Sequence, residues 1–455
     1  MTPFEYLKKN EKKRINELFQ FLKFATVSAK SEHKKDIVAC SKWLKNHLSD
    51  IGFKTKIYPT KGHPVVYAEF IVNKNLPTIL YYGHYDVQPP EPYELWKTPP
   101  FDPKIRDGYI YARGATDDKG QTFTHIKGLE SVIKTTGTLP VNVKFLIEGE
   151  EEIASANLPS FIKKKKKLLK ADICVISDTA QFDKNNPALT YGLRGLAFVE
   201  VFVKGPNRDV HSGSYGGSIT NPVNALCSIV GQLHDKNGKI AIPGFYKDVK
   251  SITKSEKQQF KKLPYNENSF KKSLGVKALH GEKGFTTFER IWTRPTLDIN
   301  GIKGGYQGEG AKTIIPSEAS CKITMRLVPK MKPNDICNKI EKFIKKIAPK
   351  SVTVNVVKHG GAPGVVVPVD GPWIDAASSA IIKGFGKKPI LMKEGGSIPV
   401  VADFKKLLGL DTLLIGFGQN DDNIHSPNER FRVIDFERGC KTASALPYEL
   451  AEVKN

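Results

Sequence analysis

The stretch Pro77-Thr-Ile-Leu-Tyr-Tyr-Gly-His-Tyr-Asp86 decides how this chain is read. Ile79 to Tyr82 make an apolar run bounded by a proline and a glycine, the pattern of a short buried strand. His84 and Asp86 follow at once. Side chains two apart on an extended chain point to the same side, so an imidazole and a carboxylate become neighbours at the strand's end. A metal-bound histidine usually gives its second N–H to a carboxylate, which fixes the tautomer. Taken alone, the pair reads better as a polar surface loop.

The reading changes because the pattern recurs. Ala112-Arg-Gly-Ala-Thr-Asp-Asp-Lys-Gly120 sets Asp117 and Asp118 just before a helical pattern. Val141 to Ile147 is a strand that runs into Glu148, Glu150, Glu151 and Glu152, and Ile173 to Ile176 is followed by Ser177 and Asp178. Thr412 to Phe417 leads through Asp421 and Asp422 to His425. Histidine or carboxylate groups thus follow one apolar element after another. Open α/β sheets place their ligands there, outside the carboxyl ends of the strands. Imidazole and carboxylate groups without thiolate suit hard-to-borderline divalent cations. A metal site is the expectation.

A chain of 455 residues is too long for one simple core, so two domains are expected. With 40% hydrophobic and 26% charged residues it has the composition of an ordinary globular protein. The N-terminus is charged from Lys8 onward and lacks the apolar core of a signal peptide. No stretch approaches the ~18 apolar residues of a membrane span. The six cysteines show no CxxC spacing and fit reduced thiols, hence a cytoplasmic setting. The net charge of +23 raises nucleic-acid or membrane-surface binding, but the lysines are spread along the whole chain. Their densest run, Lys163 to Lys167, reads as the wet face of a helix, and no nucleic-acid motif accompanies it. Neither a nucleic acid nor a membrane is expected as a partner.

Ile15, Leu18, Phe19 and Leu22 mark an amphipathic first helix. A second begins at Ser31 as a plausible N-cap and runs through Ile37, Leu44, Leu48 and Ile51 to Gly52. Strands at 53–58 and 65–72 precede the opening stretch, and a helix carrying Ile126, Leu129 and Ile133 on one face ends near Gly137. This alternation indicates an α/β layer structure. The pattern changes near Tyr191-Gly-Leu-Arg-Gly195. A strand at 196–204, a helix at 221–234, strands at 296–302 and 318–328, a helix at 333–347 and a strand at 351–358 follow the β-α-β-β-α-β, ferredoxin-like plan. A poorly periodic insertion, roughly 236–290, interrupts it. The expected organisation is a first part of an α/β domain (1–191), an inserted α+β domain (192–361), and the second part of the α/β domain (362–455).

With these motifs the sequence resembles the M20 family of metallopeptidases, and most of all its dipeptidase branch, which includes the cytosolic and serum carnosine dipeptidases. The likeness covers nearly the whole chain, including Pro243-Gly-Phe-Tyr246 in the insertion. It rests on Gly83-His-Tyr-Asp-Val-Gln-Pro89, Ala115-Thr-Asp-Asp-Lys-Gly120, Ile147-Glu-Gly-Glu-Glu-Glu152, Ile176-Ser-Asp178, Gly395-Gly-Ser-Ile-Pro399 and Asp421-Asp-Asn-Ile-His-Ser-Pro-Asn-Glu429. The chain departs from the family at Ala154, where a glycine is usual.

The resemblance implies a zinc-peptidase-like catalytic domain with an inserted ferredoxin-like lid and dimerisation domain. It implies two divalent metal ions, zinc first, with manganese or cobalt as alternatives. One ion would be held by His84 and Asp178, the other by Glu152 and His425, with Asp117 bridging. Glu151 would be the general base for a metal-bound water that attacks the amide, and Asp86 the partner of His84. In Arg208-Asp-Val-His-Ser-Gly-Ser-Tyr-Gly-Gly217, His211 would stabilise the oxyanion in the site of a partner subunit. Arg326 would bind the substrate's terminal carboxylate, a task that suits a fork-shaped guanidinium. Thr313, Gly396 and Ser397 would add contacts. The implied activity is hydrolysis of dipeptides by a cytoplasmic homodimer. The alternatives are an N-acyl amino acid deacylase on the same metals and a catalytically silent peptide-binding module.

Overall fold

The strand Thr78–His84 lies in the middle of a mixed sheet and is buried from Ile79 to His84. The computed structural model describes residues 1–453. Across the sheet the order is Lys54–Tyr58, Val65–Phe70, Asn142–Glu148, Thr78–His84, Ile173–Ile176, Thr412–Leu414 and Ala188–Leu193. Asn142–Glu148, Thr78–His84, Ile173–Ile176 and Thr412–Leu414 run parallel to one another, and antiparallel strands flank them. Parallel strands are covered on both faces, which is why Ile79–Tyr82 and Ile173–Ile176 read as continuous apolar runs, while Asn142–Glu148 is interrupted by Lys144. Ile79 and Tyr81 join a core with Phe123, Ile126 and Phe145. Tyr82 points to the other face and packs edge-on against Phe404 of the helix Pro399–Leu408, ring centroids 5.6 Å apart.

The helix Lys119–Thr136 differs from its expected amphipathic form, being buried on every side from Lys119 to Ile133. It packs against the helices Pro3–Lys9, Glu11–Leu22 and Val433–Ala451 as well as the sheet. Its polar residues are matched inside. Lys127 meets Glu17 at 2.6 Å and also Glu130, and His125 Nε2 lies 2.6 Å from Ser177 Oγ. Gly128 lets Val433–Ala451 come close, since a Cβ there would lie 2.5 Å from the Ala443 Cβ. Ser31 is not an N-cap. It opens a 3₁₀ turn, Ser31–His33, ahead of the helix Lys34–Ile51. The lysine run is not one helix face either. The helix Leu158–Lys164 ends inside it, and Lys144 Nζ donates to the carbonyls of Leu168 and Lys170 just beyond.

This first unit takes in Met1–Tyr191, Val367–Lys393 and the chain from Ile398 onward. A second unit comprises Gly192–Val366 with Glu394–Ser397. Its edge lies beyond the expected 361 because Val365 and Val366 pair with Leu193 and Gly192. It also takes a short segment from the part expected to belong wholly to the α/β domain. Its antiparallel sheet has the order Asp298–Gly304, Glu318–Leu327, Gly195–Lys204, Thr353–Ala362. Val199, Val201 and Val203 alternate inward and pack with Ile323, Met325, Leu226 of the helix Pro222–Gly231, and Ile336 and Ile340 of the helix Pro333–Ile347. The poorly periodic insertion contains three short helices, Lys254–Lys261, Glu267–Leu274 and Thr287–Thr293. Two of them carry a legible start signal, the capping boxes Thr253/Glu256 and Thr286/Glu289.

Candidate metal centre

The parallel strands of the first unit end on one side, and their ends bring the expected ligand-type residues together. His84 closes its strand, Asp178 stands two residues past Ile173–Ile176, and Glu152 lies in a 3₁₀ turn, Glu151–Ile153, after Asn142–Glu148. Asp117 precedes the helix Lys119–Thr136, and its peptide bond to Asp118 is cis. His84, Asp117 and Asp178 each offer a ligand atom within 4.8 Å of the others, and so do Asp117, Glu152 and His425. Asp117 belongs to both groups. Its Oδ1 lies 3.1 Å from His84 Nε2 and its Oδ2 lies 2.9 Å from His425 Nε2. His425 Nε2 is also 3.4 Å from Glu152 Oε2.

Charge makes this arrangement fit cations. Burial pushes the Asp178 carboxyl well above the ordinary carboxylate range, and the neighbouring Asp117 and Asp118 add to it. Burial and then Asp117 raise Glu152. Burial raises Glu151 still further, with Glu152 and Asp117 as repelling neighbours. Asp118, buried beside Asp117, is pushed up to about 8. Burial would lower both imidazoles, but the carboxylates outweigh it, so His84 stands well above its usual value and His425 is raised to about 10. His84 Nε2 is buried without a well-aligned hydrogen bond. A cation between these groups would accept that lone pair and relieve the carboxylate repulsion. The donor set is all imidazole and carboxylate, which suits zinc or manganese.

Asp86 does more than the sequence indicated. His84 Nδ1 lies 3.1 Å from the Asp86 backbone carbonyl and 3.4 Å from its carboxylate. The same carboxylate accepts the backbone N–H of Glu151 at 3.2 Å and of Glu152 at 3.1 Å, so it orients the paired glutamates as well as the histidine. Glu151 lies outside both ligand groups while Glu152 is inside one. Ala154 sits at φ 70°, in the left-handed region that glycine adopts freely.

Several contributors had no role in the sequence reading. Gln88 Nε2 donates to Glu152 Oε2 at 2.8 Å. Asp118 accepts the His84 N–H at 3.2 Å and the Thr122 hydroxyl at 2.6 Å. Lys119 is fully buried and donates to the carbonyls of Phe24 and Phe21, tying the end of Glu11–Leu22 to this loop. All lie inside the quoted motifs, yet only contacts assign them work. Another group with metal-type residues, Glu17, His47 and Glu130, has its cation already: Lys127 Nζ lies 2.6 Å from Glu17 and 3.3 Å from His47.

The remaining expected residues belong to the second unit. His211 is exposed and pairs with Ile314 in the ribbon of Val210–His211 and Ile314–Ile315. Its Nδ1 accepts the Gly213 N–H at 3.0 Å, which leaves Nε2 as the ring nitrogen that can donate. The neighbouring Thr313 carbonyl accepts the Ser212 N–H at 3.0 Å. Arg326 Nη1 donates to Ser397 Oγ at 3.0 Å, and Ser397 Oγ in turn donates to the Arg194 carbonyl. Arg194, also missed, donates its Nε–H to the Gly395 carbonyl at 3.1 Å; burial, then the Arg326 cation, pushes its guanidinium down to about 10. A Cβ on Gly396 would meet nothing within 4 Å, so its backbone is open to approach.

The chain is similar to known proteins over nearly its whole length. The fission yeast Schizosaccharomyces pombe Cys-Gly metallodipeptidase dug1 is 30% identical over 99% of this chain and 98% of its own. The crystal structure of human carnosine dipeptidase 1 superposes with a TM-score of 0.89 at 28% identity, covering 99% of this chain and 98% of that one. An M20 family metallo-carboxypeptidase from Sulfolobus solfataricus gives 0.88 at 33% identity over 97% and 99%. The model of peptidase family M20/M25/M40 matches residues 80–449, and the chain belongs to that family.

Proposed function

We propose that this protein is a metal-dependent dipeptidase of two divalent cations, zinc first with manganese or cobalt as alternatives. The observation that carries it is Asp117, whose two oxygens each face a different histidine in a different ligand group. Its relatives named as dipeptidases support the substrate class. In this reading His84 and Asp178 hold one cation, Glu152 and His425 the other, and Asp117 both. When bound, the cations would lower the pKa of a shared water and polarise the peptide carbonyl. Glu151 takes the proton of the attacking water and passes it to the leaving amine.

Arg326, with Ser397 against it and the Gly396 backbone beside it, would receive the substrate's free carboxylate. His211, through its Nε2–H, would donate to the oxyanion developing on the substrate in a partner subunit's site, with Thr313 just before Ile314 of the facing strand. That assigns the working form as a homodimer through the second unit. Among the described residues no helix is long and apolar enough to cross a membrane, which fits a cytoplasmic enzyme.

The test is a hydrolysis panel run on metal-free protein given zinc, manganese or cobalt. Dipeptides should be cleaved, with N-acyl amino acids and longer peptides cut slowly. The longer peptides are included because the Sulfolobus relative is named a carboxypeptidase. Faster cleavage of N-acyl amino acids would make the protein a deacylase, and no cleavage with any metal would leave a peptide-binding module. The shared site has its own test. Inactive His211→Ala and Glu151→Ala chains, mixed after dissociation, should recover about a quarter of normal activity, since half the dimers then hold one intact site of two. Heterodimers that form and stay inactive refute it.

A further inference from the structure

His425 stands on a loop whose backbone is under strain and whose tip is open to solvent. Asn423, His425 and Asn428 all have left-handed φ, at 57°, 62° and 59°. None is a glycine; asparagine and histidine enter this region more readily than other residues, yet it is uncommon even for them. Such conformations persist where the surroundings over-determine them, and they gather at functional sites. The surroundings are not the His425 side chain itself, which is 53% exposed and has little packing to hold it. The restraint lies at the two ends of the loop.

At one end stands Glu429, with 0% exposure. Its Oε1 accepts the backbone N–H of Thr116 at 2.9 Å and of Asp117 at 3.1 Å. Its Oε2 accepts the Gly114 N–H at 3.0 Å and Arg113 Nη1 at 2.8 Å. The Glu429 carbonyl accepts the Ala112 N–H. At the other end Asp422, equally buried, takes the Thr116 hydroxyl at 3.0 Å and the Gln419 N–H at 2.7 Å. Asp422 and Arg430 then close the loop, carbonyl to N–H at 2.9 Å. The chain that carries His425 is thus pinned at both ends to the segment 112–117 that carries Asp117.

We propose that Glu429 is a positioning residue: its carboxylate clamps the His425 loop to the Asp117 loop and so preforms the half-site of Asp117, Glu152 and His425. The inference rests on the two-cation reading above. A carboxylate spends four acceptor directions on four donors here, and no neutral side chain of this size can do so. Glutamine offers one oxygen and would turn an N–H toward two of those donors. Aspartate keeps the charge opposite Arg113 but is one methylene too short to reach both pairs. Asp117 serves both half-sites, but only the group of Asp117, Glu152 and His425 also depends on the His425 loop, so the second ion should weaken more than the first.

The test is a cobalt(II) titration of metal-free wild type, Glu429→Gln and Glu429→Asp, with cobalt per chain measured by elemental analysis across a series of free-metal buffers. Wild type should bind two ions. Each variant should keep the first and bind the second about 10- to 100-fold more weakly, the usual consequence of losing a partner behind a metal ligand. Excess cobalt should then restore kcat, which it would not do for a general loss of structure. Two ions held as tightly as in wild type, or equal loss of both from a folded variant, overturn the proposal. So does failure of both variants to fold, as judged by circular dichroism, since Glu429 would then hold the fold and not the half-site. Fewer than two ions on wild type would overturn the two-cation reading itself and this proposal with it.

Discussion

Replacing Glu151 by glutamine separates proton transfer from metal binding at the centre. Among the described hydrogen bonds, none uses the Glu151 side chain; its backbone N–H alone bonds Asp86. Burial and the adjacent Glu152 and Asp117 already drive its carboxyl toward the protonated, neutral form. The amide of glutamine imitates that form, so folding stability should stay within about 0.5 kcal/mol of wild type or rise slightly. Both ligand groups exclude Glu151, so two metal ions should remain. What disappears is the proton carrier. A positioned general base contributes roughly 100- to 10,000-fold, equal to about 2.7–5.4 kcal/mol of barrier. The assay is dipeptide turnover at saturating metal, with metal content by elemental analysis on the same preparation. A Glu151→Gln enzyme that loses metal, or keeps more than roughly a tenth of its turnover, refutes the division of labour between the paired glutamates. Glu152→Gln is the contrast and should lose the ion it shares with His425.

Asp86→Asn leaves one backbone N–H of the Glu151–Glu152 turn facing a donor, so chemical denaturation of the metal-free protein should show a loss of about 1–3 kcal/mol; unchanged stability would mean the turn holds itself. Metal affinity should rise with pH, because His425, raised to about 10, is protonated near neutrality in the metal-free centre and binding must expel that proton. Proton release, read from the buffer dependence of the binding enthalpy, should therefore accompany metal uptake at pH 7, and its absence refutes the ligand assignment. Amidating a dipeptide's C-terminus should cost about 2–5 kcal/mol in kcat/KM, and Arg326→Ala should largely erase that discrimination; equal rates on both substrates with wild type would remove Arg326 from carboxylate recognition.

Much was legible in the sequence because it lay in local patterns. A buried parallel strand is mostly apolar, so Ile79–Tyr82 and Ile173–Ile176, and Val143–Ile147 apart from Lys144, announce themselves, and the residues after them share the carboxyl ends of the sheet. The strand expected at 196–204 is Gly195–Lys204, and its alternating burial is a feature of the structure, since Leu196, Phe198 and Phe202 on its outer side are apolar too. Other features depend on residues far apart in the chain, and no window of sequence contains them. Lys119–Thr136 looked amphipathic because the partners that let its polar side enter the core, Glu17 for Lys127 and Ser177 for His125, come from distant segments. The Glu394–Ser397 segment joins the second unit through Arg194 and Arg326, some 200 and 70 residues away. Residue types and their order determined which groups could bind cations. Only the tertiary structure decided that Asp117 lies between the two histidines, and that Asp86 and Glu429 hold the backbone around it, since a buried carboxylate's role is set by the donors that converge on it.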